Sequence, residues 1–278
     1  MAKQIVPLTV EQILAIAGEI EPRCKAGVLL GAGCGLRVGE ITGLLEPGIR
    51  WMTRQVAVTQ QMLRSGQLGP TKTRSSERLV PAPDFVLEAL SAHIATYGLG
   101  RGQIVFTAPN SAAVRASLGR LASVSRNHPG ADASVQKQAL REAMSSRSDK
   151  PLGEHAFRTN FAKAVRAVNA KAAERDRDRK AGRTTLPPLP SVPGDTSPHD
   201  LRHAYASMLI EGGESVVVVA RRLGHANPSM TLDVYSHLFA DSEERTRSVV
   251  DAAWNAKINH VADSVRTSDA AQVSDLRR

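Results

Sequence analysis

Cysteine is scarce: the 278 residues include two, Cys24 and Cys34. Both lie in apolar helical surroundings and form no metal-ligand spacing, so the expectation is two buried, reduced thiols rather than a disulfide scaffold or a metal knuckle. Aromatic residues make up only 4% of the chain, which argues against a surface that stacks single-stranded bases on aromatic platforms. No apolar run approaches the roughly 20 residues needed to span a bilayer. The segment from Met1 to Pro7 lacks the apolar centre and small-residue cleavage site of a secretory signal, so a cytoplasmic location is expected. No internal repeat is found. What the chain does have is positive charge, with 36 Lys and Arg against 27 Asp and Glu, a formal net charge of +9 and an isoelectric point of about 10.0. That balance favours a polyanionic partner, and with so few aromatics the backbone of double-stranded DNA fits best.

Along the chain, Thr9 and Gln12 read as a capping box opening a helix to Ile20, with Val10, Ile13, Leu14 and Ala17 at helical spacing. A second helix follows Pro22 and ends at Gly31, Gly33 and Gly35, and Leu36 to Leu44 reads as a short third. Ile49 to Met62 alternates and is rich in β-branched residues, with Arg78 to Val80 as its partner strand and Gly66, Gly69 and Pro70 making the turn. Helical patterning returns over Asp84 to Tyr97 and again over Phe157 to Val168. Ser111 to Glu154 has weak periodicity and reads as a surface insertion, and Lys171 to Pro198 as an exposed, mobile, proline-rich linker. An SH3-type ligand in that segment is the less common alternative. Ser197, Pro198 and Asp200 then predict a helix from Pro198 to Glu211, Ser215 opens one closed by Gly224, and Asn227 with Pro228 caps one that carries Tyr235. The fold class expected is mainly α with a small antiparallel β-sheet.

His199 and Arg202 stand three apart at a helix start, where unpaired N–H groups and the helix dipole favour an anion. Arg202 can add a charge-assisted, bidentate contact to a phosphate there. His225 follows a glycine helix end and Tyr235 comes ten residues later. If both converge on the same anion, the set has the residue types that phosphoryl transfer requires: cations for the oxygens, a nucleophile and proton carriers.

The segments His199-Asp200-Leu201-Arg202-His203, Leu223-Gly224-His225 and Thr231-Leu232-Asp233-Val234-Tyr235-Ser236-His237 resemble the C-terminal signature of the tyrosine site-specific recombinases, the phage-integrase type. Gly35-Leu36-Arg37-Val38-Gly39-Glu40 resembles that family's first arginine motif, and Thr71-Lys72-Thr73 with Ser76, Arg78, Val80 and Pro81 its β-hairpin lysine motif. The resemblance runs from about Pro7 to Leu238. It implies a tyrosine-recombinase catalytic domain over residues 7–250, Tyr235 as nucleophile, Arg37 and Arg202 as phosphate clamps, His199 and His225 as site histidines, Lys72 as the hairpin lysine and Glu40 as a support. Arg64, Arg74 and Arg78 become contacts to the DNA backbone. The implied reaction is strand cleavage and rejoining through a 3′-phosphotyrosyl intermediate, with no metal or cofactor, by a homotetramer assembled on double-stranded DNA, with accessory DNA-bending proteins as further partners. Residues 251–278, including Trp254, are expected to form a tail that docks on a neighbouring subunit. A separate N-terminal DNA-clamping domain is expected to be absent.

Each residue also has a plainer reading. Tyr235 taken alone is a half-buried helix tyrosine, Arg37 with Glu40 a surface ion pair, and Lys72 one cation of a solvated hairpin. His199 and His203, four apart on a helix, have the spacing of two metal ligands, but Asp200 replaces the glutamate of the zinc-protease pattern, Arg202 would repel the metal, and no third ligand is apparent. Two further functions remain open: a DNA-binding or regulatory member of the family that does not recombine, and a nicking and closing enzyme resembling type IB topoisomerases.

Overall fold

A computed structural model describes residues 6–109, 148–236 and 246–255. The chain divides into two compact units, Met1–Val234 and Tyr235–Arg278. The first is mainly helical with a small antiparallel sheet, as its sequence predicts.

Helix α1 (Val10–Glu19) opens on a reciprocal capping box: Gln12 N–H donates to Thr9 Oγ1 over 3.3 Å and Thr9 N–H to Gln12 Oε1 over 3.0 Å. Its buried stripe is Ile13, Ile16 and Ala17, whereas Val10 and Leu14, apolar residues at the same helical spacing, are 54% and 57% exposed. Helix α2 (Pro22–Cys34) lies at the centre, and its buried residues run all round it. Cys24 and Cys34 are free thiols there, and burial first of all pushes both up to about 12, so neither is a thiolate nucleophile. Helix α3 (Val38–Thr42) is shorter than expected because Arg37 is extended, at φ −71° and ψ 154°, and Gly43 caps the other end.

The strands are β1 (Ile49–Arg50), β2 (Gln55–Val58), β3 (Gln60–Met62), β4 (Leu68–Pro70) and β5 (Arg78–Pro81). They make a three-stranded antiparallel sheet in the order β1-β2-β5 and a separate β3-β4 hairpin. Val56 pairs with Val80, and Gln60 with Pro70. Gly69 and Pro70 are therefore strand residues, and of the three expected turn residues only Gly66 lies in the turn. Helix α4 (Asp84–Tyr97) follows, and then the buried run Ile104, Val105 and Phe106. Most of the expected 111–154 insertion lies outside the described residues.

Helix α5 (Glu154–Lys180) corrects the linker expectation, since the charged run from Lys171 onward continues the helix for nearly three more turns. Lys, Arg and Glu are good helix formers, and alternating charge is what a solvated helical face looks like. Lys171 Nζ reaches Glu19 Oε1 over 2.5 Å, and Ala172 is buried. The connection begins at Ala181 and is tied down: Asn169 Nδ2 donates to Val192 O and Val192 N–H to Asn169 Oδ1, both over 2.8 Å, and Gln12 Nε2 donates to Ser191 O over 2.6 Å. Helices α6 (Pro198–Glu211), α7 (Val216–Leu223) and α8 (Ser229–Tyr235) complete the series. Tyr235, the last residue of α8, opens the second unit, in which residues 246–255 are helical and Trp254 is 66% exposed. His237, Leu238 and residues 256–278 lie outside the described residues. No helix of the described residues is long and apolar enough to cross a membrane.

Candidate active site

Arg37 sits at the corner between α2 and α3. That corner needs a left-handed residue, and Gly35 supplies it at φ +65°; a Cβ there would stand 2.3 Å from Tyr205 Cδ1. Glu40, one turn into α3, reaches back. Its Oε2 accepts the Arg37 N–H over 2.9 Å and its Oε1 accepts Arg37 Nη1 over 2.9 Å. Glu40 is 3% exposed, and burial acting alone would raise its pKa. Hydrogen bonds and charge from Arg78, followed by the backbone N–H and charge of Arg37, outweigh that effect and hold the carboxyl below its ordinary value.

The second guanidinium on Glu40 is Arg78, whose Nη1 and Nη2 donate to Oε1 over 3.1 Å and Oε2 over 2.9 Å. Its Nε donates to Arg222 O over 2.7 Å and its Nη1 also to Ser76 O over 2.9 Å. The Arg78 side chain is 4% exposed, so it is not the DNA-backbone contact expected of it. It braces Glu40 and joins β5 to the end of α7. Arg64, by contrast, is exposed in the turn of the β3-β4 hairpin, and Arg74 lies in the 3-10 turn Arg74–Ser76.

Ser197 caps α6. Its Oγ accepts the His199 N–H over 3.3 Å, while Asp200 Oδ2 accepts Ser197 N–H over 2.8 Å. This sets His199 and Arg202 in the first two turns. Arg202 is 2% exposed; its Nη1 donates to Gly35 O over 2.8 Å and its Nη2 to Leu223 O. Both acceptors stand at glycine helix ends, since Gly224, the cap after Leu223, is left-handed at φ +64°. Arg202 thus ties the Arg37 corner to the stretch that carries His225.

His225 is half-buried, with Nδ1 2.9 Å from Thr231 Oγ1. Desolvation first, and then the charges of Arg202, Arg37, Arg78 and His199, hold its pKa down at about 4. His199 is exposed overall, yet it too is held at about 4 by desolvation, then by His203, Arg202 and Arg37 against an opposing pull from Asp200. Both imidazoles are therefore neutral near pH 7, kept so first by burial and then by the charges around them. A pocket of about 170 Å³ is lined by Arg37, His199, Gln61 and Arg158, among others.

The His199 and His203 rings meet edge to face at 4.6 Å between centroids. Among the described residues no group of three or more His, Cys, Asp or Glu is placed to hold a metal. Lys72 is exposed in the connection after β4 and makes no hydrogen bond or ion pair with another described residue. Tyr235 is 2% exposed at the end of α8. The first unit thus brings together Arg37, Glu40, Arg202, His199 and His225, with Lys72 on a loop beside Ser76, and Tyr235 belongs to the second unit. Sequence reasoning missed the bracing role of Arg78 and the tie from Thr231 to His225. The six-residue spacing between two neighbouring motif segments was the signal available for Thr231.

A family model described as the phage integrase family matches residues 4–242. A tyrosine recombinase XerC-like protein of Caldanaerobacter subterraneus is 24% identical over 240 residues, covering 82% of this chain and 48% of the relative. Tyrosine recombinase XerD of Corynebacterium glutamicum is 50% identical over 48 residues, 17% of this chain and 16% of that protein. The chain therefore spans about half the length of the first relative and matches a short stretch of the second. Among solved structures, the Tn1549 transposon integrase in complex with a circular intermediate DNA superposes with a TM-score of 0.60 at 18% identity, covering 90% of this chain and 67% of that one. At that identity the likeness establishes the fold.

Proposed function

The chain belongs to the phage integrase family, and on that premise we propose that it cuts and rejoins double-stranded DNA through a covalent 3′-phosphotyrosyl intermediate on Tyr235. The observation that carries this reading is the tie from Arg202 Nη1 to Gly35 O, two residues before Arg37. It anchors the Arg202 guanidinium to the backbone corner that carries Arg37, so that in this scheme the two serve one phosphate. A phosphodiester resists attack because its charge repels the nucleophile and grows in the transition state, and fixed guanidinium forks answer both difficulties. Glu40 and Arg78 hold the first fork in place.

In this scheme Tyr235 Oη attacks phosphorus. A phenol ionises near pH 10 and needs a proton acceptor, which a neutral His225 or His199 supplies. Lys72 returns a proton to the departing 5′-oxygen. The phosphotyrosine keeps the bond energy, so a second 5′-hydroxyl can reverse the step without a metal or nucleotide cofactor. Arg64 and Arg74 contact the flanking backbone. Assembly of four copies on DNA, with DNA-bending accessory proteins, completes the proposal, and a cytoplasmic location is consistent with it.

The test is covalent trapping. A pool of nicked duplexes with randomised cleavage regions is incubated with the protein, and DNA linked to denatured protein is recovered. Wild type is expected to retain duplexes that Tyr235→Phe does not; equal recovery by both, or none by wild type, refutes the reading.

A further inference from the structure

The loop from Thr71 to Ser76 carries Lys72, yet Lys72 itself is held by nothing among the described residues. Its neighbours hold the loop. Thr71 Oγ1 donates to Thr73 O over 3.1 Å, and the Ser76 N–H to Thr73 O over 2.9 Å. Thr73 Oγ1 lies 2.9 Å from both Ser75 Oγ and Ser76 Oγ. Ser76, 1% exposed, is the hub: its Oγ accepts Arg37 Nη1 over 3.4 Å and its carbonyl accepts Arg78 Nη1. Guanidinium can only donate, so Ser76 Oγ accepts from Arg37, while either hydroxyl can be the donor in its contact with Thr73 and in that of Thr73 with Ser75. The hydroxyls of Ser75, Thr73 and Ser76 thus form a chain that ends on Arg37. The loop also lies close against the glycine that ends α7, since a Cβ on Gly224 would stand 3.1 Å from Ser76 Cα and 3.2 Å from Ser75 O.

We infer that Ser76 is a positioning residue for the proposed reaction, locking the Lys72 loop to the Arg37 guanidinium so that the leaving-group proton donor and the phosphate clamp are placed together. The inference rests on the recombinase reading. In the step concerned, the bond from Tyr235 Oη to phosphorus forms and the bond from phosphorus to O5′ breaks. One Nζ proton passes to O5′, giving a 5′-hydroxyl and a neutral lysine, while the phenol proton goes to a neutral site histidine. Ser76 touches none of the reacting atoms.

A mispositioned proton donor harms only a leaving group that needs a proton. The duplex recovered by covalent capture on wild-type protein is therefore prepared twice, with oxygen and with sulfur at the bridging 5′ position; a thiolate leaves without protonation. Ser76→Ala and Thr73→Val are each expected to slow cleavage of the oxygen form about tenfold or more, a fraction of the ~10² to 10⁴ that a general acid supplies. Both should cleave the sulfur form within about threefold of wild type, and Lys72→Ala should show the larger loss with the same sulfur rescue. Thr73 is exposed, so its variant decides the matter if Ser76→Ala does not fold. Equal slowing of both forms, or no effect of Thr73→Val on the oxygen form, overturns the inference while leaving the recombinase reading intact. Failure of wild type to capture any duplex removes both.

Discussion

Arg78 and Glu40 form a two-pronged ion pair, Nη1 to Oε1 at 3.1 Å and Nη2 to Oε2 at 2.9 Å, with side chains only 4% and 2% exposed. Its partners come from β5 and α3, 38 residues apart. Buried pairs of this kind are costly to break one-sidedly, because the survivor keeps its charge in a poor solvent. Arg78→Ala is therefore expected to lose about 3 kcal/mol or more of stability and to leave Arg37 on a weakened brace. Urea unfolding measures the first effect and trapping the second; a loss below about 1 kcal/mol, the range of an exposed pair, contradicts the buried role.

Gly35→Ala is expected to be worse than its size suggests. The position is left-handed at φ +65°, and the added carbon would meet Tyr205 Cδ1 at 2.3 Å. The backbone penalty alone is about 1 to 2 kcal/mol, and relief of the clash must move either Tyr205 or the carbonyl that receives Arg202. Stability and cleavage should fall together. A variant with wild-type stability would show that the corner is not strained by a side chain.

Arg202→Lys keeps the charge and loses the fork. Lysine cannot reach Gly35 O and Leu223 O at once, so cleavage should fall at least ~10²-fold, the scale of removing one preorganised donor, while affinity for duplex DNA changes less than about tenfold. Comparable losses in both would make the residue a general DNA contact. Gel-shift titration beside trapping separates the two.

His93 gives the molecule an acid limit. It is 4% exposed, packed at 4.9 Å against both Tyr97 and Phe106, and its Nε2 bonds Val105 O over 3.1 Å. Desolvation above all, with the charge of Arg23 added against the opposing carbonyl bond, lowers its pKa from 6.5 to about 4. Between those values the unfolded chain binds the proton more readily, so stability is complete above pH 6.5 and is lost as pH falls toward 4. His199, His203 and His225 are lowered too and act in the same direction. Calorimetry should show Tm falling more steeply over this interval in wild type than in His93→Gln. Parallel slopes would assign the acid limit to other groups.

The parts of this molecule that sequence made legible are those written in local chemistry. Ser197, Pro198 and Asp200 specify the start of α6 within four residues, and the observed capping box matches. The glycines at 35 and 224 likewise mark helix ends that the chain cannot continue through. Arg78 was misread because its role depends on Glu40 and on a carbonyl at Arg222, 144 residues away, and in the sequence it is only one cation among several in a hairpin. The second half of α5 was misread because alternating charges score alike in a loop and on a solvated helix, and the ties to Glu19 and Val192 that settle it are tertiary. Val10 and Leu14 show the same limit: helical spacing gave the period of α1, but which stripe turned inward was decided by α2 and α5 packing against it. The roles assigned to Arg37, Lys72 and Tyr235 came from motif order, since no one of them is distinctive alone.

Two acceptors that hold Arg202 are main-chain carbonyls, and this shapes how the molecule can change. A carbonyl has no side chain to lose, so exchanges at Leu223 and at the surface residues around the site leave the anchor's chemistry in place. Vulnerability is concentrated instead in two positions without side chains, Gly35 and Gly224. If the chain acts on DNA as proposed, a selection for new targets can explore the hairpin turn and the exposed rim widely, provided those two positions are left alone.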